Sequence, residues 1–268
     1  MNKKLKIDLV VAPIEMGWQE MIILAQTAER IGCGALWIWD HLTGSSENSK
    51  SRCMECWTVL SALAPLTNSI SLGPLVFNPL HRDAVTLAVM CATLQEISGG
   101  RLEIGLGAGS GPGGVNAREQ EILGRTLQGA KERRRMLQDY VSQIRKIWSG
   151  DVPHYNQLNN PPPLLIGGFG PRMATMAGKI ADGFVTSTVV PNHIELISLA
   201  TREAGRKNYP IIVTDELEDA RQRLADDREW IKKLIAAGVR RLAVTVRHAD
   251  QATVAAIEEF AAAVEAAQ

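Results

Sequence analysis

The chain has 268 residues, 29 Lys and Arg against 29 Asp and Glu, and 46% hydrophobic residues. A chain of this size buries about three quarters of the surface its unfolded form exposes, so it needs no disulfide or metal staple. Zero net charge argues against a nucleic-acid partner, which needs a basic excess to meet phosphates. Near the start, Asp8, Pro13 and Glu15 interrupt the apolar run, so neither a secretory h-region nor a membrane span is expected, and a cytoplasmic protein is.

Short apolar, β-branched runs alternate with amphipathic stretches, the rhythm of parallel βαβ units. The first strand is expected over residues 7–11 and its helix over 18–31, stopped at Gly32-Cys33-Gly34. The second pair covers 35–39 and 55–64, and the third 70–77 and 85–97, closed by Ser98-Gly99-Gly100. A fourth strand at 102–106 leads through an irregular, Gly-rich stretch at 107–126 to a long helix over 130–148. The charge run at 131–135 reads as a solvated helix face. Pro161-Pro162-Pro163 announces the fifth strand at 164–166, followed by a helix at 171–180. The remaining pairs are 183–187 with 193–204, 211–214 with 217–237, and 242–246 with 251–266. Eight strand–helix pairs with no spare segment predict one (β/α)8 TIM barrel domain over residues 1–268. An open doubly wound sheet would show a glycine fingerprint after the first strand, and Val11-Ala12-Pro13-Ile14 has none.

Active sites in such barrels lie at the carboxyl ends of the strands. There the second strand ends in Asp40 and His41, an adjacent acid and imidazole able to exchange a proton near neutral pH. The alternative is that Asp40 caps the next segment while His41 packs. The fifth strand runs into Gly167-Gly168-Phe169-Gly170-Pro171-Arg172. Glycines bare the amides, Pro171 suits a first helical turn, and Arg172 adds charge, so this loop reads as an anion cradle at a helix N-terminus. A tight turn without a ligand is the other reading. His81 and Arg82 are expected to hold a loop or an anionic group rather than to catalyse. Cys53-x-x-Cys56 has no second pair, so it reads as two reduced thiols beside a helix start, and no metal site is expected. No lysine stands at a strand end, which disfavours Schiff-base chemistry, and no Gly-x-Ser-x-Gly elbow is present.

Several stretches together resemble the luciferase-like monooxygenase superfamily, in particular its branch of oxidoreductases dependent on coenzyme F420, a deazaflavin. They are Ala35-Leu36-Trp37-Ile38-Trp39-Asp40-His41, Leu72-Gly73-Pro74-Leu75-Val76, the run from Ser98 to Gly109, Ile166-Gly167-Gly168-Phe169-Gly170-Pro171-Arg172, and Ala181-Asp182-Gly183-Phe184. The resemblance implies a cofactor at the strand ends and hydride transfer between F420 and a small-molecule substrate, with FMN as the alternative cofactor. It implies that Asp40 and His41 are catalytic and that a non-prolyl cis peptide joins Leu75 and Val76 beneath the ring. It also implies that Gly107, Ala108 and Gly109 lie beside the ring, and that Gly167, Gly168, Phe169, Gly170, Pro171 and Arg172 bind the cofactor phosphate. The resemblance implies a carboxylate directly after the fourth strand's Gly-x-Gly, as in the sugar-phosphate and pterin enzymes of the superfamily, where this chain has Ser110. The glutamate that pterin reductases carry in the first strand corresponds to Val10. An FMN-dependent monooxygenase and a cofactor-binding barrel without turnover are the competing readings. The apolar faces at residues 60–66 and 90–94 read either as a homodimer surface or as core.

Overall fold

Eight short strands carry the apolar runs, and most of their residues are buried, as parallel strands covered by helices require. They are β1 (Lys6–Val11), β2 (Ala35–Ile38), β3 (Ser71–Pro74), β4 (Ile104–Leu106), β5 (Leu164–Gly167), β6 (Gly183–Ser187), β7 (Ile211–Glu216) and β8 (Arg241–Val246). In the computed structural model, which describes residues 4–44, 51–114, 116–155, 157–206 and 208–268, they lie in the order β3-β2-β1-β8-β7-β6-β5-β4, all paired in parallel. The bridges Leu72↔Leu102 and Phe77↔Leu106 join the β3 and β4 segments, so the sheet curls into the expected, nearly closed barrel.

Between the strands run α1 (Trp18–Arg30), α2 (Cys56–Leu63), α3 (Ala84–Ile97), α4 (Ala117–Ile122), α5 (Ala130–Trp148), α6 (Pro171–Ile180), α7 (His193–Ala204), α8 (Leu217–Asp226), α9 (Trp230–Ala236) and α10 (Gln251–Ala266). Two apolar layers result. Val10, Ala35, Trp37, Leu165, Val185, Ile212 and Ala243 fill the barrel interior, and a larger cluster packs the helices onto its outside. Helix α5 shows how the pattern works: Leu137, Tyr140, Val141, Ile144, Ile147 and Trp148 share its buried stripe at helical spacing. Carboxylates start three helices, with Glu55 on Trp57 N and Thr58 N, Asp83 on Thr86 N, and Asp250 on Thr253 N. Among the described residues no helix is long and apolar enough to cross a membrane.

Four expectations change. Regular pairing in β3 ends at Pro74, the Leu75–Val76 peptide that follows is cis, and the chain bridges to Leu106 of β4 at Phe77. The irregular stretch at 107–126 contains α4, whose buried residues are Ala117, Glu119 and Gln120. A helix that buries a polar face leaves no hydrophobic period to read. The expected helix at 217–237 is two helices, for Asp227 turns extended (φ −138°, ψ 95°) and accepts from Glu229 N at 3.0 Å, opening a new turn. The charge run at 131–135 is not all solvated either. Arg135 pairs with Glu132 and Asp139 at the surface, whereas Arg133 turns inward and donates from Nη1 to the carbonyl of Gly109. Of the two apolar faces, Leu60, Leu63 and Leu94 are core, with at most 1% exposed.

Candidate active site

Neighbouring side chains on an extended segment point to opposite faces, and this separates Asp40 from His41. Trp39 packs on the barrel-interior cluster, and His41, two residues on, meets it edge-to-face at 5.8 Å. The side chain of Asp40 is wholly buried and accepts from Asn78 N (2.9 Å), His81 Nδ1 (3.1 Å) and Arg82 Nη1 (3.2 Å). Arg82 also pairs with Glu55 and lies over the Phe77 ring at 4.8 Å. His81 and Arg82 thus hold the β3 exit loop to Asp40, as expected of loop-holding residues. Burial would raise the Asp40 carboxyl, but the His81 hydrogen bond and the Arg82 charge bring it below the usual range.

His41 finds a different carboxylate. Its Nδ1 lies 3.2 Å from Glu119 Oε2, while Glu119 Oε1 accepts from Leu42 N (3.1 Å), Thr43 N (3.1 Å) and Thr43 Oγ1 (2.9 Å). His81 Nε2 stands 3.6 Å from the same Oε2, so two histidines flank one carboxylate. Burial alone would raise Glu119, and the hydrogen bonds from His41 and His81 hold it far below its ordinary value. Burial would lower His81, yet its hydrogen bonds to Asp40 and Glu119 push it up to about 9. Asn78 Nδ2 lies 3.0 Å from His81 Nε2 and would suit a neutral ring. Two flanking carboxylates outweigh one amide dipole, and the ring is charged. Beside Glu119, the Gln120 amide turned to satisfy its neighbours donates to Ser110 O (3.1 Å) and accepts from Ser110 N (2.9 Å). Helix α4 therefore ties the β2 and β4 exits together.

The glycines of the β4 and β5 turns divide by what surrounds them. A Cβ on Gly107 or Gly167 would stand 2.7 Å from a methyl of Val76, so both positions are glycine because Val76 fills the space between them. Gly168 donates its amide to Val185 O, and a Cβ there would meet Met173. The open part of the loop starts further on. Gly170 caps α6 without a side-chain hydrogen bond, and a Cβ added there meets nothing within 4 Å. Among the described residues, the amides of Phe169, Gly170 and Arg172 have no protein acceptor and Arg172 has no acidic partner. Phe169 is 68% exposed.

At the β8 exit of the same barrel end, Arg247 lies over the Trp39 ring at 4.9 Å and pairs with Glu216 at 2.9 Å. The two cysteines brace the β2 exit, Cys53 Sγ facing His41 O at 3.4 Å and Cys56 Sγ facing Ile38 O at 3.6 Å, and both are free thiols. Burial, then the charge of Glu119, pushes the Cys53 thiol up to about 12, so it stays protonated. No group of three or more metal-ligating side chains is found among the described residues. Glu119 escaped sequence reasoning because it sits in no motif and in no apolar period. Arg247 directly follows a strand and was open to the strand-end rule that found His41.

A model of the luciferase-like monooxygenase family matches residues 7–267. The chain belongs to that family. Among family relatives, an F420-dependent hydroxymycolic acid dehydrogenase of Mycobacterium tuberculosis is 28% identical over 217 residues, which cover 75% of this chain and 58% of the relative. A 5,10-methylenetetrahydromethanopterin reductase of Methanolobus tindarius is 29% identical over 198 residues, 68% of this chain and 55% of the relative. The chain thus spans little more than half the length of these curated relatives. In fold, this luciferase-like chain is similar to the coenzyme F420-dependent tetrahydromethanopterin reductase of Methanopyrus kandleri (TM-score 0.70, 19% identity, 96% of this chain and 97% of that one).

Proposed function

We propose that this luciferase-like protein is an F420-dependent oxidoreductase that moves a hydride between the deazaflavin and a small organic substrate. The observation that carries the reading is the convergence, at one barrel end, of the Val76 ledge between two glycine turns, the uncapped α6 N-terminus and the His41–Glu119 pair. The residues fit the group. Free amides at Phe169, Gly170 and Arg172, with the Arg172 charge, suit its phosphate. Leu75, Val76, Gly107, Ala108 and Gly109, with Gly167 and Gly168, would support the ring, and Pro171 sets the α6 start. When bound, the deazaflavin supplies a carbon that gives or takes a hydride.

Within the chain, His41 is the residue that exchanges a proton with the substrate. It keeps 24% of its side chain exposed and its Nε2 has no partner among the described residues. Asp40, expected to share that role, is the better candidate for a positioning residue, since its buried, ionised carboxylate is spent on His81, Arg82 and Asn78. A homodimer is the assembly to test, with Val89 (39% exposed) and Ile97 (52%) on α3 as apolar surface that it would bury.

Difference spectra with F420 and with FMN test the assignment. We expect F420 to bind, Arg172→Ala to weaken it roughly tenfold through the lost charge, and a substrate panel to show F420-dependent turnover that His41→Ala abolishes. Tight FMN binding with no F420 binding refutes the cofactor. Binding without turnover on any substrate favours the carrier reading.

A further inference from the structure

Glu119 is an acid in a six-residue helix that turns its side chain inward to 2% exposure. Its two oxygens have separate duties. Oε1 takes three donors from the β2 exit, Leu42 N, Thr43 N and Thr43 Oγ1, and Oε2 faces the two imidazoles. The other charges nearby are already matched: Asp40 by His81 and Arg82, and Glu55 by Arg82. Oε2 is therefore left to His81 at 3.6 Å and, closer, to His41 at 3.2 Å.

We propose that Glu119 is the positioning residue of His41, fixing which ring nitrogen carries the proton and which one meets the substrate. An ionised carboxylate only accepts hydrogen bonds, so the His41 Nδ1 it touches must be the N–H. That leaves Nε2, without a partner among the described residues, as the nitrogen free to exchange a proton at the barrel mouth. The same carboxylate fixes the loop that carries the ring, since Leu42 and Thr43 follow His41 directly and both bind Oε1. Glu119 thus sets the tautomer and the orientation of one side chain from another strand's loop, as outer partners do for catalytic histidines. The neighbouring Gln120–Ser110 pair anchors α4 to the β4 turn. The β4 turn itself carries Ser110 rather than an acid, and a carboxylate nine positions on, at Glu119, reaches the His41 imidazole.

The inference rests on the function proposed above, but its first test does not use activity. Long-range 1H–15N spectra of the cofactor-free protein at pH 8, with His41 assigned by a His41→Ala spectrum, report which nitrogen is protonated. We expect a proton on Nδ1 in the wild type. Glu119→Gln keeps an oxygen for the Leu42 and Thr43 donors and presents an amide NH2 to the ring, so Nδ1 must then accept and lose its proton to Nε2. With F420 and a turned-over substrate, the same variant is expected to lose ten- to a hundredfold in kcat with F420 affinity unchanged within about twofold, and Glu119→Asp to recover part of it. An unprotonated Nδ1 in the wild type overturns the proposal, even if Glu119→Gln does not fold. So does an Nδ1 still protonated in Glu119→Gln. If the tautomer behaves as expected while no F420 binding is seen, the positioning role stands and the cofactor assignment fails.

Discussion

Raising the pH across the alkaline range should uncouple the His81 bridge from the fold. In the folded protein His81 lies between Asp40 and Glu119 with 1% of its side chain exposed and is pushed up to about 9, whereas an unfolded histidine sits near 6.5. A group raised on folding stabilises fully below its unfolded value and loses that contribution as pH rises through its folded value. The interval from 6.5 to about 9 corresponds to a few kcal/mol, roughly 3, at about 1.4 kcal/mol per pH unit. Asp40 and Glu119 are held low and stay ionised throughout that interval, and the buried thiols Cys53, Cys56 and Cys91 are pushed above it. Urea unfolding of wild type and His81→Gln at several pH values from 6 to 10 isolates the term as the difference between the two curves. We expect the wild-type advantage to shrink by about 3 kcal/mol over that range, chiefly between pH 6.5 and 9. The His81 Cε1 proton, followed by NMR in the native protein, should titrate near the top of the interval. Parallel curves for the two proteins, or a His81 that titrates near 6.5, would refute the charged bridge.

Other consequences are equally direct. Gly107→Ala or Gly167→Ala should cost about 1–3 kcal/mol, because each methyl meets Val76 at 2.7 Å; adding Val76→Ala should recover part of it, and strict additivity in that double-mutant cycle would count against the packing account. Arg241→Met should cost about 3–5 kcal/mol at pH 7, since Arg241 Nε holds the buried Asp8 at 2.7 Å. Burial already raises Asp8 above the ordinary carboxylate range and losing the Arg241 charge raises it further, so in that variant the loss should shrink as the pH falls toward that ordinary range, and a pH-independent loss would sink the argument. Arg101→Lys should lower stability by about 2–4 kcal/mol in urea unfolding, because one guanidinium serves Ser98 O, Thr67 Oγ1, Ile70 O, Ala64 O and Thr67 O and an ammonium cannot reproduce that fork.

The barrel was legible in outline because its signals are local. β5, β6, α5, α6, α7 and α10 coincide with their expected spans or fall within a residue of them, since each is a buried strand or an apolar stripe at helical spacing. The misreadings share a cause. In α4 the buried face is polar, at Asp227 a single side chain restarts a helix, and at Arg133 a charge in a surface-like run turns inward to a carbonyl. In each case a long-range or capping contact overrides the local pattern. The Gly-x-Gly turns and the run from Ser98 to Gly109 that holds Arg101 were visible as sequence, but the reasons for them were not: Val76 accounts for Gly107 and Gly167, and five acceptors, four from residues 64–70 and one from Ser98, account for Arg101.

From the sequence by itself come the eight βα units, the parallel order of a barrel, and the end at which Asp40, His41 and the Gly167–Arg172 loop gather, because periodicity and turn chemistry act over a few residues. Only the tertiary structure decided how those side chains are used. It turned Asp40 to His81 and Arg82, left His41 to a carboxylate 78 residues away, and narrowed the open amides to Phe169, Gly170 and Arg172. Partners that far apart in the chain meet only when the strands close, and nothing local records which acid will face which imidazole.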